Sequence, residues 1–263
     1  MPDIASPLDF VVAALAAFAG IIIWRLQRQH SLAQRAPFPE HWTTLLERRL
    51  PLLARLSTAQ RALHRRHVQD FFAEVRFIGC NGLEVTEDMR VLIAGMACLL
   101  VLRPGAVPFR GLSTVLLYPA AFWVRHQEPD ALGLVSTEAQ LQIGESWGGE
   151  RVVLSWADVE AALDGDATNV VAHEFAHQLD DENPGSPGAP KLADYGEWSR
   201  VMQAEFERLR HHPSPVLDDY GLEGPPEFFA VATEAFFQNG RALRRHHRAL
   251  YRLLRDYYGI ETD

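Results

Sequence analysis

Residues 169–185 read NVVAHEFAHQLDDENPG. Taken as a helix from Thr168 to Glu182, the stretch gathers Val171, Ala172, Phe175, Ala176 and Leu179 on one apolar stripe. His173 and His177, four residues apart, stack on another. At that spacing both imidazoles reach one tetrahedral ion at about 2.0–2.1 Å. Glu174 follows the first histidine, and its carboxylate leans toward the open coordination position of such a site. There it can serve as general base toward water. The pattern H-E-x-x-H arises by chance in about one chain in a hundred of this length, so the motif alone decides nothing. The helical context, the formed apolar face and the acidic end, Asp180 and Asp181, weigh for a zinc hydrolase. Either aspartate can orient a ligand histidine.

A zinc site needs a third protein ligand. The residues just after the motif, NPGSPG from Asn183 to Gly188, contain no histidine. The best source is PPEFFAVATEAFF, residues 225–237, whose prolines suit a helix start. Glu227 and Glu234 lie seven apart there, on one face among phenylalanines and alanines. A carboxylate on so apolar a face needs a partner, which a metal or a ligand histidine supplies. The spacing does not choose between the two.

Outward from the motif, the sequence predicts helices around a small, mostly antiparallel sheet, an α+β pattern. Helical periodicity runs from about Thr43 to Val75, with His64–Arg65–Arg66–His67 read as a solvated face. Asn81-Gly82 marks a turn, and Thr86, followed by Glu87 and Asp88, caps the next helix. Strand candidates are LSTVLLYPAAFWV (residues 112–124), AQLQIGESW (139–147) and RVVLSW (151–156). From Ala167 onward the pattern is helical. AQLQIGESW is a candidate edge strand to which an extended peptide substrate adds, with Glu145 and Trp147 bordering the cleft; the alternative is an interior strand with Trp147 in the core.

The chain has 263 residues, 48% of them hydrophobic, enough for one well-buried domain, or one domain plus an appendage. Its net charge of −9, a diffuse acidic balance, gives no reason to expect nucleic acid as a partner. Two cysteines, Cys80 and Cys98, make no disulfide framework and read as buried thiols of a reducing compartment. The N-terminus stands apart: FVVAALAAFAGIIIW, Phe10–Trp24, carries no charge, and Leu8 and Leu26 extend it toward the roughly 20 residues of a membrane span. Arg25, Arg28 and Arg35 follow it, so the positive-inside rule puts the remainder in the cytoplasm. The expected organisation is an anchor and linker over residues 1–36 and a domain over 37–263, tethered to the inner membrane. The alternatives are a cytoplasmic protein whose apolar helix packs on its own domain, and a signal peptide.

Three runs in order, GESWGGERVVLSWADV, NVVAHEFAHQLD and PEFFAVATEAFF, resemble the Mlc titration factor A family of zinc peptidases. RFIGCNGLEVTEDMRVLIAGMACLLVL is similar to that family's N-terminal helical segment, and the likeness extends roughly from Phe38 to Tyr258. The resemblance implies a mostly helical zincin-type domain with a small mixed or antiparallel sheet, akin in its core to the protease domain of anthrax lethal factor. It implies one Zn2+ per chain held by His173, His177 and Glu227, with Glu174 as base and Tyr220 as donor to the developing oxyanion. Glu234 and Asp180 then become supports of the ligands. The implied activity is aminopeptidase-like hydrolysis of peptides, and the implied partner is a transcriptional repressor of the Mlc type. The alternative is a regulator that binds such a repressor and has little peptidase activity. The apolar segment at residues 10–24 departs from the soluble members of the family.

Overall fold

Proline and serine divide the first helical stretch. α1 (Glu40–Arg49) ends before Pro51, which disfavours helix at Leu50 and opens a short 3-10 turn to Arg55. α2 (Thr58–Glu74) then starts from a capping box in which Ser57 and Gln60 satisfy each other's backbone N–H. The run expected over 43–75 is therefore two helices and a turn. The computed structural model describes residues 37–263 except 104, 108, 121, 130–134, 143, 148 and 149; between 122 and 147 it describes strand backbone only. The apolar run 10–24 and the rest of the expected anchor segment lie outside the described residues. Among the described residues, no helix is long and apolar enough to cross a membrane.

β1 (Arg76–Gly79) follows α2. Asn81 and Gly82, at φ 51° and 80°, make the expected turn, and Thr86 caps α3 (Glu87–Ala97) through Met89 N–H. β2 (Thr114–Tyr118) runs parallel to β1 and to β6 (Arg151–Ser155), while β5 (Gly144–Trp147) closes the other side of β6 antiparallel. The order is β1-β2-β6-β5. β3 (Phe122–Pro129) and β4 (Val135–Gln142) form a separate antiparallel hairpin. The sheet is thus mixed, with two parallel pairings where mostly antiparallel ones were expected. Val115, Leu117, Val152 and Leu154 alternate into the core with no exposed surface, as the strand period requires.

Helices supply the rest: α4 (Trp156–Leu163), α5 (Val170–Asp181), α6 (Gly196–His211), α7 (Pro225–Gln238), α8 (Gly240–His246) and α9 (Arg248–Tyr258). A 3-10 turn, Asp219–Glu223, precedes α7. Phe175 of α5 packs on Phe71 and Phe109 at ring distances of 5.8 and 4.6 Å, which seats the motif helix on the core. Gly95 lets α1 approach α3, since a Cβ there would stand 2.3 Å from Leu46 Cδ2. His64 and His67 are buried, not solvated: α2 turns both inward, and His64 Nε2 meets the Gly95 carbonyl at 2.8 Å. Cys98 is buried as expected, Cys80 is partly exposed, and both are free.

Candidate metal centre

α5 begins where Asn169 accepts from Ala172 N–H, so the motif starts in the first helical turn. That turn sets His173 and His177 one above the other. α7 begins at Pro225, whose ring suits the first helical position, and carries Glu227 in its first turn against both histidines. His173 Nε2 lies 3.2 Å from His177 Nε2 and 3.2 Å from Glu227 Oε2. His177 Nε2 lies 3.4 Å from the same oxygen. Three atoms bound at about 2.0–2.1 Å to one tetrahedral ion stand about 3.3 Å apart. The three donors therefore form one face of a tetrahedron of the size zinc takes, and this is the one such group among the described residues.

Glu234, two helical turns further along α7, does not join the triangle. Its Oε1 accepts from His173 Nδ1 at 2.5 Å and its Oε2 from Asn169 N–H at 2.9 Å. With Nδ1 protonated and engaged, the Nε2 lone pair of His173 faces the other two donors, the usual second contact of a metal-binding histidine. Gln238 extends the stripe: its amide oxygen accepts from Asn169 Nδ2, and its amide nitrogen donates to the carbonyls of Ala162 and Asp166. Glu227, Glu234 and Gln238 thus bind successive layers around the start of α5.

Burial opposes charge on His173, but its hydrogen bonds to the carboxylates of Glu227 and Glu234 more than offset it and raise its pKa. Glu227 goes the other way, held low by both histidines against its own desolvation. Glu174 is 4% exposed, and burial raises its carboxyl to about 7, with the histidines pulling down and Glu227 and Glu234 pushing up. Its Oε2 is buried without a hydrogen-bond partner among the described residues. Such an acceptor is costly unless something outside the chain donates to it. The triangle's size, the nitrogen–nitrogen–oxygen donor set and this orphaned carboxylate oxygen all fit a zinc ion with water beside it.

Tyr220 stands in the 3-10 turn before α7, half exposed, its ring centroid 6.0 Å from that of His173. Partial burial first, then the charges of Glu227, Glu223 and Glu174, push its phenol up to about 12, so it stays a donor. Asp180 holds the loop that follows α5: its Oδ1 accepts from Ala189 N–H. That loop braces α7, because Gly188, at φ +79°, sits so close that a Cβ would lie 2.6 Å from the Pro225 backbone. β5, an outer strand of the sheet, runs beside α5; the run AQLQIGESW, read as one strand, is divided between β4 of the separate hairpin and β5. Sequence reading missed Asn169, Gln238 and Gly188. Asn169 had a local signal, a capping residue directly before an apolar run, whereas Gln238 and Gly188 had none.

The sequence profile of the glucose-regulated metallopeptidase family M90 matches residues 23–259. An uncharacterized protein of Synechocystis sp. is 38% identical over 265 residues, covering 97% of this chain and 96% of its own. Proteins called Mlc titration factor A are similar too: that of Cronobacter sakazakii is 31% identical over 91% of this chain and 92% of its own, and that of Pectobacterium atrosepticum 32% over 83% and 85%.

Proposed function

The chain belongs to the glucose-regulated metallopeptidase family M90, and from that premise we propose that it is a zinc-dependent, aminopeptidase-like peptidase. His173, His177 and Glu227 hold one Zn2+, which when bound polarises a carbonyl and acidifies water. Glu174 takes the proton of the attacking water and passes it to the leaving amine. Tyr220 donates to the carbonyl oxygen as that oxygen gains charge. Glu234 keeps His173 in one tautomer and one orientation. An extended peptide lies along the edge of β5. Residues 10–24 tether the catalytic domain, residues 37–263, to the inner face of the membrane.

The observation that carries this reading is the triangle of 3.2, 3.2 and 3.4 Å with a buried carboxylate oxygen of Glu174, unpartnered among the described residues, beside it. Hydrolysis of chromogenic aminoacyl anilides and of a peptide library by purified protein tests it. Glu174→Gln keeps its zinc and loses about 10²–10⁴-fold in turnover, the worth of a positioned base. Tyr220→Phe loses roughly 10–10³-fold, as for one oxyanion donor. Full turnover in Glu174→Gln refutes the mechanism. The names of the relatives favour a second reading, in which the chain binds a repressor of the Mlc type and peptide hydrolysis is vestigial. Under that reading the same variant retains partner binding, and no turnover depends on Glu174.

A further inference from the structure

Between Glu234 and Asp256 the sequence carries no acidic residue and six arginines, in a chain of net charge −9. The fold turns them outward. α8 buries Leu243, and α9 buries Leu250, Tyr251, Leu254, Tyr257 and Tyr258, which leaves Arg241, Arg244, Arg245, Arg248 and Arg252 exposed on the outer sides of two consecutive helices. Asp263 clasps Arg244, and Asp256 and Glu261 neutralise Arg255. Among the described residues no carboxylate pairs with Arg241, Arg245, Arg248 or Arg252. Arg241 with Arg245, and Arg248 with Arg252, stand four apart on a helix, where like charges destabilise it. The acidic balance of the chain is therefore not spread evenly, and this face is cationic.

The surface continues toward the place where the chain joins the domain. Asp263, which holds Arg244, also accepts from Arg55, and Gln60 of α2 donates to the Gly259 carbonyl at 2.7 Å. Arg61, on the same turn of α2, borders a small cavity walled by Phe38. Only residues 25–36 separate Phe38's neighbour Pro37 from the apolar run, a stretch spanning at most about 40 Å when fully extended. A chain held in a bilayer by residues 10–24 keeps this face within reach of the headgroups.

We propose that the arginine face of α8 and α9 docks on anionic lipid headgroups of the membrane that residues 10–24 enter. The choice of lipid rests on the tether in the reading above. Each arginine close to an anionic surface strengthens binding roughly fivefold, and one apolar anchor plus a basic face makes the two signals of stable attachment. Docking orients the domain, which a tether alone does not.

Flotation of the full chain with vesicles tests this, comparing phosphatidylcholine alone with the same lipid containing about one third phosphatidylglycerol. The wild type and a variant with Arg241, Arg245, Arg248 and Arg252 all changed to Gln bind neutral vesicles equally. Phosphatidylglycerol then strengthens wild-type binding at least tenfold more than it strengthens that of the Gln variant, whose smaller gain comes from Arg25, Arg28 and Arg35 beside the apolar run, and salt removes both increments. A variant with Lys at the same four positions keeps the gain, which separates charge from any change in folding. No gain for the wild type, or an equal gain for the Gln variant, overturns the proposal. So does tighter binding of a short single-stranded RNA than of anionic vesicles, lost in the Gln variant. A failed tether reads differently: wild type absent from neutral vesicles.

Discussion

Glu227 and Glu234 share one stripe of α7, yet they meet His173 at opposite nitrogens. Glu227 faces Nε2 and the triangle, and Glu234 faces Nδ1. The sequence could not separate them, because a spacing of seven puts both on one face and says nothing of which turn lies opposite the motif. The packing of α7 on α5 decides it, and the decision has a measurable consequence. Glu234→Ala leaves all three donors in place and frees His173 to rotate, so zinc affinity falls about 10–100-fold, the usual cost of losing such a support. Competition with a chromophoric chelator measures the fall. An unchanged affinity would mean that packing alone fixes the imidazole. The histidines and Glu174 were legible because a single helical turn determines their relation. Gln238 was not, since its role exists only once Asn169 is brought to it across the chain.

Among the elements, the motif helix, the Thr86 cap and the Asn81-Gly82 turn carried local signals and stand where those signals put them. β1 carried little: four residues ending in glycine, paired with β2 more than thirty residues on. Parallel partners are joined by a helix, here α3, so no hairpin turn announces them. The pair His64 and His67 misled for a similar reason, since arginines beside them suggested a wet face while α3 covers their side of α2. Burial lowers the pKa of His64 from 6.5 to about 4, against the pull of its bond to Gly95. The folded state holds it neutral, while the unfolded chain takes a proton near 6.5. Its stabilising effect is whole above that pH and is lost as pH falls toward 4. Between about pH 7 and about pH 5 the folded protein loses about 2 kcal/mol through this group. Urea titrations at both pH values show that extra loss in the wild type and not in His64→Gln, whose amide can still donate to Gly95. An identical pH dependence in the two proteins would show that His64 is solvated in solution.

At the scale of the whole molecule, the order of several motifs along the chain was more informative than any one of them. The family match covers residues 23–259 and so includes the end of the apolar run. The tether is a separate claim with a separate test. Full-length protein sediments with membranes and resists carbonate extraction, and a chain beginning at Pro37 is soluble and zinc-loaded. Recovery of the full chain in the soluble fraction would place the apolar helix on the domain or between subunits. The sheet's parallel core gave no advance sign, because it depends on contacts between segments far apart in sequence; the outer strand β5 lies within AQLQIGESW, the run read as a candidate edge strand.

The metal triangle is the centre of the account, and zinc content per chain tests it most directly. Wild type, Glu174→Gln, His173→Ala, His177→Ala, Glu227→Ala and Glu234→Ala are equilibrated against a micromolar zinc–chelator buffer and their metal is counted. Wild type and Glu174→Gln should hold one zinc per chain, each of the two histidine variants and Glu227→Ala none, and Glu234→Ala an intermediate amount. A full complement in Glu227→Ala beside an empty Glu234→Ala would contradict the account, for the third ligand would then be the other carboxylate.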